Sequence, residues 1–250
     1  MTIADEHLGD LLRLIRGADS VELKFSVPES QQRSTIAALR MDPLDSEMRQ
    51  VYFFDTPGLA LNAAGVVVRA RRVQGRGDDS VVKLRPVVPG ELPVRLRIAP
   101  GFGVEVDAMP GAFVCSASLK NVLGGDAVRD VAAGDRALHT LFSKDQRAFF
   151  ATYAPPGVDL DDLAILGPIF VLKLRFRPAE LDRRLVAELW LYPDDSRILE
   201  LSTRTRPGDA FQAAAEVRAY LGEQGVAVSA EQQTKTRRAL EFFSRRLAAA

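Results

Sequence analysis

Charged residues two apart recur in short strand-like runs along this chain, and that alternation limits what it can fold into. The runs read Val21-Glu22-Leu23-Lys24, Val68-Arg69-Ala70-Arg71, Val82-Lys83-Leu84-Arg85, Val104-Glu105-Val106-Asp107 and Leu172-Lys173-Leu174-Arg175. In an extended strand residues i and i+2 share a side, so each run collects its charges on one face and its apolar residues on the other. An exposed face of an antiparallel sheet satisfies this pattern. So does the lining of a closed barrel.

Three details favour the barrel. The charges are sorted by sign: Arg69/Arg71, Lys83/Arg85 and Lys173/Arg175 are basic pairs, whereas Glu105/Asp107 is acidic. A face that only needs water would mix signs, because like charges two apart repel. The charged face also carries few of the Thr, Ser and Gln residues that usually fill a wet sheet. Finally, about eight strands can be read, enough to enclose a small ligand.

The strands expected are 20–27, 51–55, 65–73, 80–86, 103–109, 169–176, 185–192 and 197–203, with Asp145 to Tyr153 also strand-like. Helices are expected over 7–16, from Ser30 to about Met41, in parts of 116–142, from Asp209 to about Gly222, and over 230–249. Ser229 and Gln232 form a capping-box signature for that last helix. Asp55-Thr56 reads as a turn in which the carboxylate takes backbone amides. Trp190 and the Phe pairs read as core. Residues 1–17 are expected to be a helical extension and 18–250 a single domain.

Composition excludes several function classes. Lys plus Arg equals Asp plus Glu at 33 each, so net charge points to neither a nucleic-acid polymer nor a membrane. The single cysteine, Cys115, rules out an intrachain disulfide, and two distant histidines make a zinc site improbable. Met1 to Asp10 carries three acids and no apolar stretch, unlike a signal peptide. A cytoplasmic monomer or homodimer is expected.

Sorted charge suits a polyphosphate held together with a cation. Arg binds phosphate through two parallel hydrogen bonds and Lys adds a compact charge. Carboxylates repel phosphate, but they hold Mg²⁺ or Mn²⁺, which bridges to phosphate oxygens. The ordered set Glu22-Leu-Lys24, Tyr52-Phe-Phe-Asp55-Thr56, Arg69-Ala-Arg71, Lys83-Leu-Arg85 and Glu105-Val-Asp107, continued by Glu200 and Lys235-Thr236, resembles the CYTH superfamily, the triphosphate tunnel metalloenzymes. The resemblance covers roughly residues 18–242. It implies an α+β fold: a closed antiparallel barrel of eight strands with flanking helices and C-terminal helices.

The same resemblance implies site roles. Lys24, Arg69, Arg71, Lys83, Arg85, Arg147, Lys173, Arg175 and Lys235 would bind the triphosphate. Glu22, Glu105, Asp107 and Glu200 would hold Mg²⁺ or Mn²⁺, with Glu22 and Lys24 as the catalytic pair. The chain departs from the family's Glu-x-Glu-x-Lys at Ser20, and from its late Glu-x-Glu at Ser202, so two carboxylates are missing. Asp194 or Glu188 are the candidates to compensate. The function implied is metal-dependent hydrolysis of inorganic triphosphate, polyphosphate or an organic triphosphate. Two alternatives remain: a polyphosphate- or nucleotide-binding protein without turnover, and an adenylyl cyclase of this fold.

Overall fold

The computed structural model describes residues 3–229 and 235–248. Nine strands among them form one closed barrel: β1 (Ser20–Val27), β2 (Glu47–Asp55), β3 (Val66–Val73), β4 (Asp79–Leu84), β5 (Phe102–Met109), β6 (Ala112–Val122), β7 (Ala164–Phe176), β8 (Leu185–Leu191) and β9 (Arg197–Thr205). The order around the ring is β1-β5-β6-β4-β3-β2-β7-β8-β9, and β9 pairs back onto β1. The helices are α1 (Ile3–Arg16), α2 (Gln32–Ala38), α3 (Ala60–Ala63), α4 (Val94–Arg97), α5 (Ala127–Ala132), α6 (Lys144–Tyr153), α7 (Ala210–Glu223) and α8 (Lys235–Ala248).

The barrel corrects the expected eight antiparallel strands in two ways. The ring has nine strands, and β1 runs parallel to β5, with Glu22 opposite Asp107 and Ser20 opposite Glu105. The strand missed is β6, whose Ser116-Ala117-Ser118 centre has small residues of weak strand preference. Cys115, Ala117 and Leu119 are buried on its outer face, while Ser116, Ser118 and Lys120 alternate inward.

The stretch Asp145 to Tyr153, expected as a strand, is helix α6. Ser143 Oγ accepts from Gln146 N at 3.2 Å and Gln146 Oε1 accepts from Ser143 N at 3.0 Å, which closes a capping box. The Gln146 amide then donates to Ser80 O and Leu119 O and clamps the helix to β4 and β6. Phe149 and Phe150 are buried from the same helix face.

The hydrophobic core lies mainly outside the barrel wall. Leu23, Leu199 and Leu201 pack beneath α7, where Val217 and Leu221 are buried. On another side Val68, Val82 and Leu119 meet α5 and α6. Each of these side chains contributes about 1.5–3 kcal/mol by leaving water. The strands' other faces are thereby committed inward, where the charges lie.

One end of the barrel is treated differently. Val51, Ile169, Trp190 and Ile198 share the inward face of their strands, and Ala239 and Leu240 of α8 pack on them. Helix α8 therefore blocks part of that end. Of its expected apolar stripe, Leu240 is buried, Phe243 packs on the same cluster and Leu247 is exposed. Residues 230–234, including the capping-box partner Gln232, lie outside the described residues.

Candidate active site

Inward alternation around the ring produces a tunnel of about 390 Å³. Eleven Lys and Arg side chains line it against four acids, Glu22, Glu105, Asp107 and Glu188. Three more acids bond to lining residues from the same face of the sheet: Glu47 to Arg49 at 2.6 Å, Asp79 to Arg71 at 2.8 Å and Glu200 to Lys235 at 2.7 Å. The excess is still four positive charges, in a chain whose net charge is zero. A low-dielectric wall concentrates that field on whatever enters.

Arg69 is the most exposed in energy, although not in area. Its Nε is buried without a hydrogen-bond partner. Burial, reinforced by neighbouring Arg71, pulls its pKa down to about 10. Lys83 behaves alike: burial, with Lys24 and Arg85 adding repulsion against the attraction of Asp107, lowers it to about 8. Such strain is relieved by an anion.

The acids converge beside this wall. The parallel β1–β5 register places Glu22 next to Asp107, and one carboxylate oxygen from each of Glu22, Glu105 and Asp107 lies within 4.8 Å of the others. Lys24 Nζ approaches Asp107 Oδ1 to 2.9 Å, with Arg85 at 3.5 Å and Lys83 at 3.8 Å from Oδ2. Burial opposes ionisation of Asp107, but these cations outweigh it and hold the carboxyl well below its ordinary range. The ion pairs are not aligned hydrogen bonds, and both Asp107 oxygens are buried without hydrogen-bond partners. Three carboxylate oxygen donors with spare lone pairs fit a hard divalent cation such as Mg²⁺ or Mn²⁺.

The two serines that stand where acids were expected touch this cluster. Ser202 Oγ donates to Glu22 Oε1 at 3.0 Å, and Ser20 Oγ donates to Glu105 Oε2 at 3.4 Å. Arg204 also bonds to Glu105 Oε2. The hydroxyls thus act on the carboxylates rather than replacing them.

A second cluster lies beside the first on the ring, since β9 pairs with β1. Glu188 and Glu200 are directly opposite on β8 and β9, and Lys235 Nζ bridges them at 2.6 and 2.7 Å. Lys173 adds 2.9 Å to Glu188, and the Trp190 indole N–H donates to it at 3.3 Å. Burial opposes the Lys235 charge, yet Glu188 and Glu200 raise its pKa. Its ammonium sits 5.1 Å above the Trp190 ring, and Tyr192 Oη donates to its carbonyl at 3.1 Å.

The structure brings Glu22, Lys24, Arg69, Arg71, Lys83, Arg85, Glu105, Asp107, Lys173, Arg175 and Lys235 into one tunnel. Two expectations need correction. Arg147 lies on α6, outside the barrel, where its guanidinium donates to Phe142 O at 2.8 Å. The resemblance alone implies its role as a triphosphate ligand, and the helical position of α6 keeps it out of the lining. Glu200 is held by Lys235 and stays outside the three-carboxylate group. Of the two compensating candidates, Glu188 lines the tunnel, whereas Asp194 sits in the β8–β9 turn bonded to Ser196. Arg49, Lys120 and Arg204 also line it and were not anticipated. Each is two residues from an inward position, so extending the alternation by one step finds them.

Asp55 lies outside the lining. Its carboxylate accepts from Thr56 N, Leu61 N and Asn62 N at 2.7, 2.9 and 3.0 Å, and so fixes the turn into α3.

No profile of a known protein family matches this chain, and no curated protein matches it in sequence. Solved structures do resemble it. A Bacillus halodurans protein, provisionally described as an adenylate cyclase, superposes with a TM-score of 0.61 at 11% identity, covering 88% of this chain and 97% of that one. A Hippeastrum protein, provisionally described as an adenylyl cyclase with a dominant triphosphatase activity, gives 0.62 at 16% identity, covering 86% and 92%. At these identities the likeness is one of fold: the chain shares the closed-barrel architecture of these two proteins. No described helix is long and apolar enough to cross a membrane.

Proposed function

We propose that this chain is a divalent-metal-dependent hydrolase of a triphosphate-containing substrate. The observation that carries the reading is the meeting of two opposite surfaces. Glu22, Glu105 and Asp107 converge within 4.8 Å, beside a wall where Arg69 is buried with an unpaired Nε.

Arg69 and Lys83 would take the phosphate oxygens, since burial strains their charges, and Arg71, held in place by Asp79, would flank them. Lys24 would hold Asp107 ionised and face the same phosphates. Glu22, Glu105 and Asp107 would hold Mg²⁺ or Mn²⁺. Bound there, the metal would supply neutralisation of phosphoryl charge and a more acidic water. Burial opposes the Glu22 charge, but Lys24 lowers its pKa, so it stays ionised near neutrality and can accept a proton from water. Phosphoryl transfer needs mainly this positioning and charge stabilisation.

A second reading is binding without turnover. Each of the three carboxylates already touches a protein donor: Glu22 touches Ser202, Glu105 touches Arg204, and Asp107 touches Lys24. The test is phosphate release from inorganic triphosphate, polyphosphate, thiamine triphosphate and ATP, each with Mg²⁺ and Mn²⁺. Cyclic AMP is measured in the same ATP incubation. The hydrolase reading expects phosphate release that is lost in Glu22→Ala while triphosphate still binds. Binding with no release at either metal supports the second reading. Cyclic AMP in excess of phosphate makes the chain a cyclase.

A further inference from the structure

Among the three clustered carboxylates, Asp107 is sealed off. Its side chain is 0% exposed, whereas Glu22 and Glu105 are partly exposed. What covers it is charge. Lys24 Nζ stands 2.9 Å from Oδ1, and Arg85 Nη2 and Lys83 Nζ stand 3.5 and 3.8 Å from Oδ2. These three side chains line the tunnel and are themselves 16%, 21% and 23% exposed, so they stand between Asp107 and the lumen.

Arg204 bonds to Glu105 as well. Four cationic side chains therefore face three carboxyl groups around the candidate metal position. A divalent ion approaching this arrangement meets like charge and finds Asp107 out of reach. A polyanion changes both conditions. Its oxygens compete with Asp107 for the same three cations. Lys24 can turn to them without backbone movement, because a lysine ammonium rides on a flexible four-carbon stem and carries three rotatable donors. The Asp107 oxygens have no aligned hydrogen bond to hold them to Lys24. Uncovered, they become open ligands.

We propose that the cations over Asp107, Lys24 foremost, make the metal site conditional on the anion: they close it by themselves, and a bound triphosphate draws them off and opens it. The inference rests on the reading of the tunnel as a metal and triphosphate site, and it adds a coupling role for Lys24. By linkage the effect is reciprocal, so metal raises triphosphate affinity by the factor by which triphosphate raises metal affinity. Direct contact between metal and phosphate would also couple the two ligands. It gives no reason, however, for metal alone to bind better once a cation is removed. That difference isolates the role of Lys24.

The test measures Mn²⁺ affinity with and without a non-hydrolysable triphosphate, after subtracting the metal–anion complex formed without protein. The wild type should bind Mn²⁺ at least about tenfold more tightly with the anion, within the usual span of coupling between sites. Lys24→Gln should tighten Mn²⁺ binding without the anion about tenfold, shrink the coupling, and weaken triphosphate binding measured without metal. Lys83→Gln removes the most distant of the three cations and should show the same signs with a smaller gain, which keeps the test open if Lys24→Gln does not fold. Arg71→Gln is the control: it deletes a tunnel cation paired with Asp79 instead, and Mn²⁺ affinity without the anion should not rise. No gain in either lysine variant, an equal gain in Arg71→Gln, or equal wild-type affinity with and without the anion overturns the proposal. Triphosphate and Mn²⁺ would still each bind in that case, and the reading of the tunnel would stand. If the wild type binds neither, that reading fails and takes the proposal with it.

Discussion

Ser202 Oγ donates a hydrogen bond to Glu22 Oε1 at 3.0 Å, although the two residues are 180 positions apart. The hydroxyl orients a carboxylate of the candidate metal cluster, as outer-shell partners do in metal sites. Ser202→Ala should therefore weaken Mn²⁺ binding about tenfold. Affinity for a non-hydrolysable triphosphate measured without metal should not change. Calorimetric titration of each ligand separates the two effects, and equal losses in both would contradict the orienting role.

Arg69 sets function against stability. A buried guanidinium with an unpaired Nε is destabilising until an anion arrives. Arg69→Met should remove about 1.5–3 kcal/mol of triphosphate binding, the range for a charge-assisted bond. The same variant should unfold at an equal or higher temperature than the wild type. Thermal scans with and without inorganic triphosphate report both outcomes. A variant less stable without ligand would show that Arg69 serves the fold.

Lys83 predicts a pH dependence. Its folded pKa, held near 8 first by burial, lies below the unfolded value near 10.5. The unfolded chain therefore binds more protons between pH 8 and 10.5, and Lys83 makes folding more favourable as pH rises through that window. Anion binding has the opposite slope: the side chain sheds its charge above about pH 8, and affinity for triphosphate falls. At pH 8.5 binding should take up a proton, visible as a buffer-dependent heat. Lys83→Arg should remove that uptake and extend tight binding to pH 9.

Lys235 neutralises two acids that face each other across β8 and β9. Lys235→Met should cost about 3 kcal/mol at pH 7, because Glu188 and Glu200 lose a buried partner. Burial opposes the Glu188 charge, while Lys235 and Lys173 hold its folded pKa well below the ordinary range. Its contribution is thus present above the unfolded carboxylate pKa and is lost as pH falls through the folded one. Urea unfolding should show the gap between wild type and variant shrinking towards pH 4. Adding Glu200→Gln should restore most of the loss at pH 7.

Much of the site was legible because a strand's period of two is a geometric constant. Once Lys24, Arg69, Lys83 and Lys173 were read as inward, the sheet did the rest. The two misread segments share one cause. At 116–118 and 145–153 local preference and tertiary pairing conflict. Ser116-Ala117-Ser118 is extended because β4 and β5 flank it. Phe149 and Phe150 lie on a helix because Ser143 and Gln146 cap it and Gln146 reaches two strands. The same capped helix carries Arg147 outside the barrel. The parallel register of β1 on β5 was invisible for a different reason. Alternation says which face a residue takes and is silent on which strand lies alongside.

That register carries a kinetic consequence. β1 is the seam of the ring, joined to β5 on one edge and to β9 on the other. Both joins bring together segments far apart along the chain, the kind of topology that slows folding. Glu22 meets Asp107 only when the first join closes, and meets Ser202 only when the second does. The cation trap is therefore among the last features to assemble, and a divalent ion added during refolding should act on the final zipping of the ring rather than on early collapse.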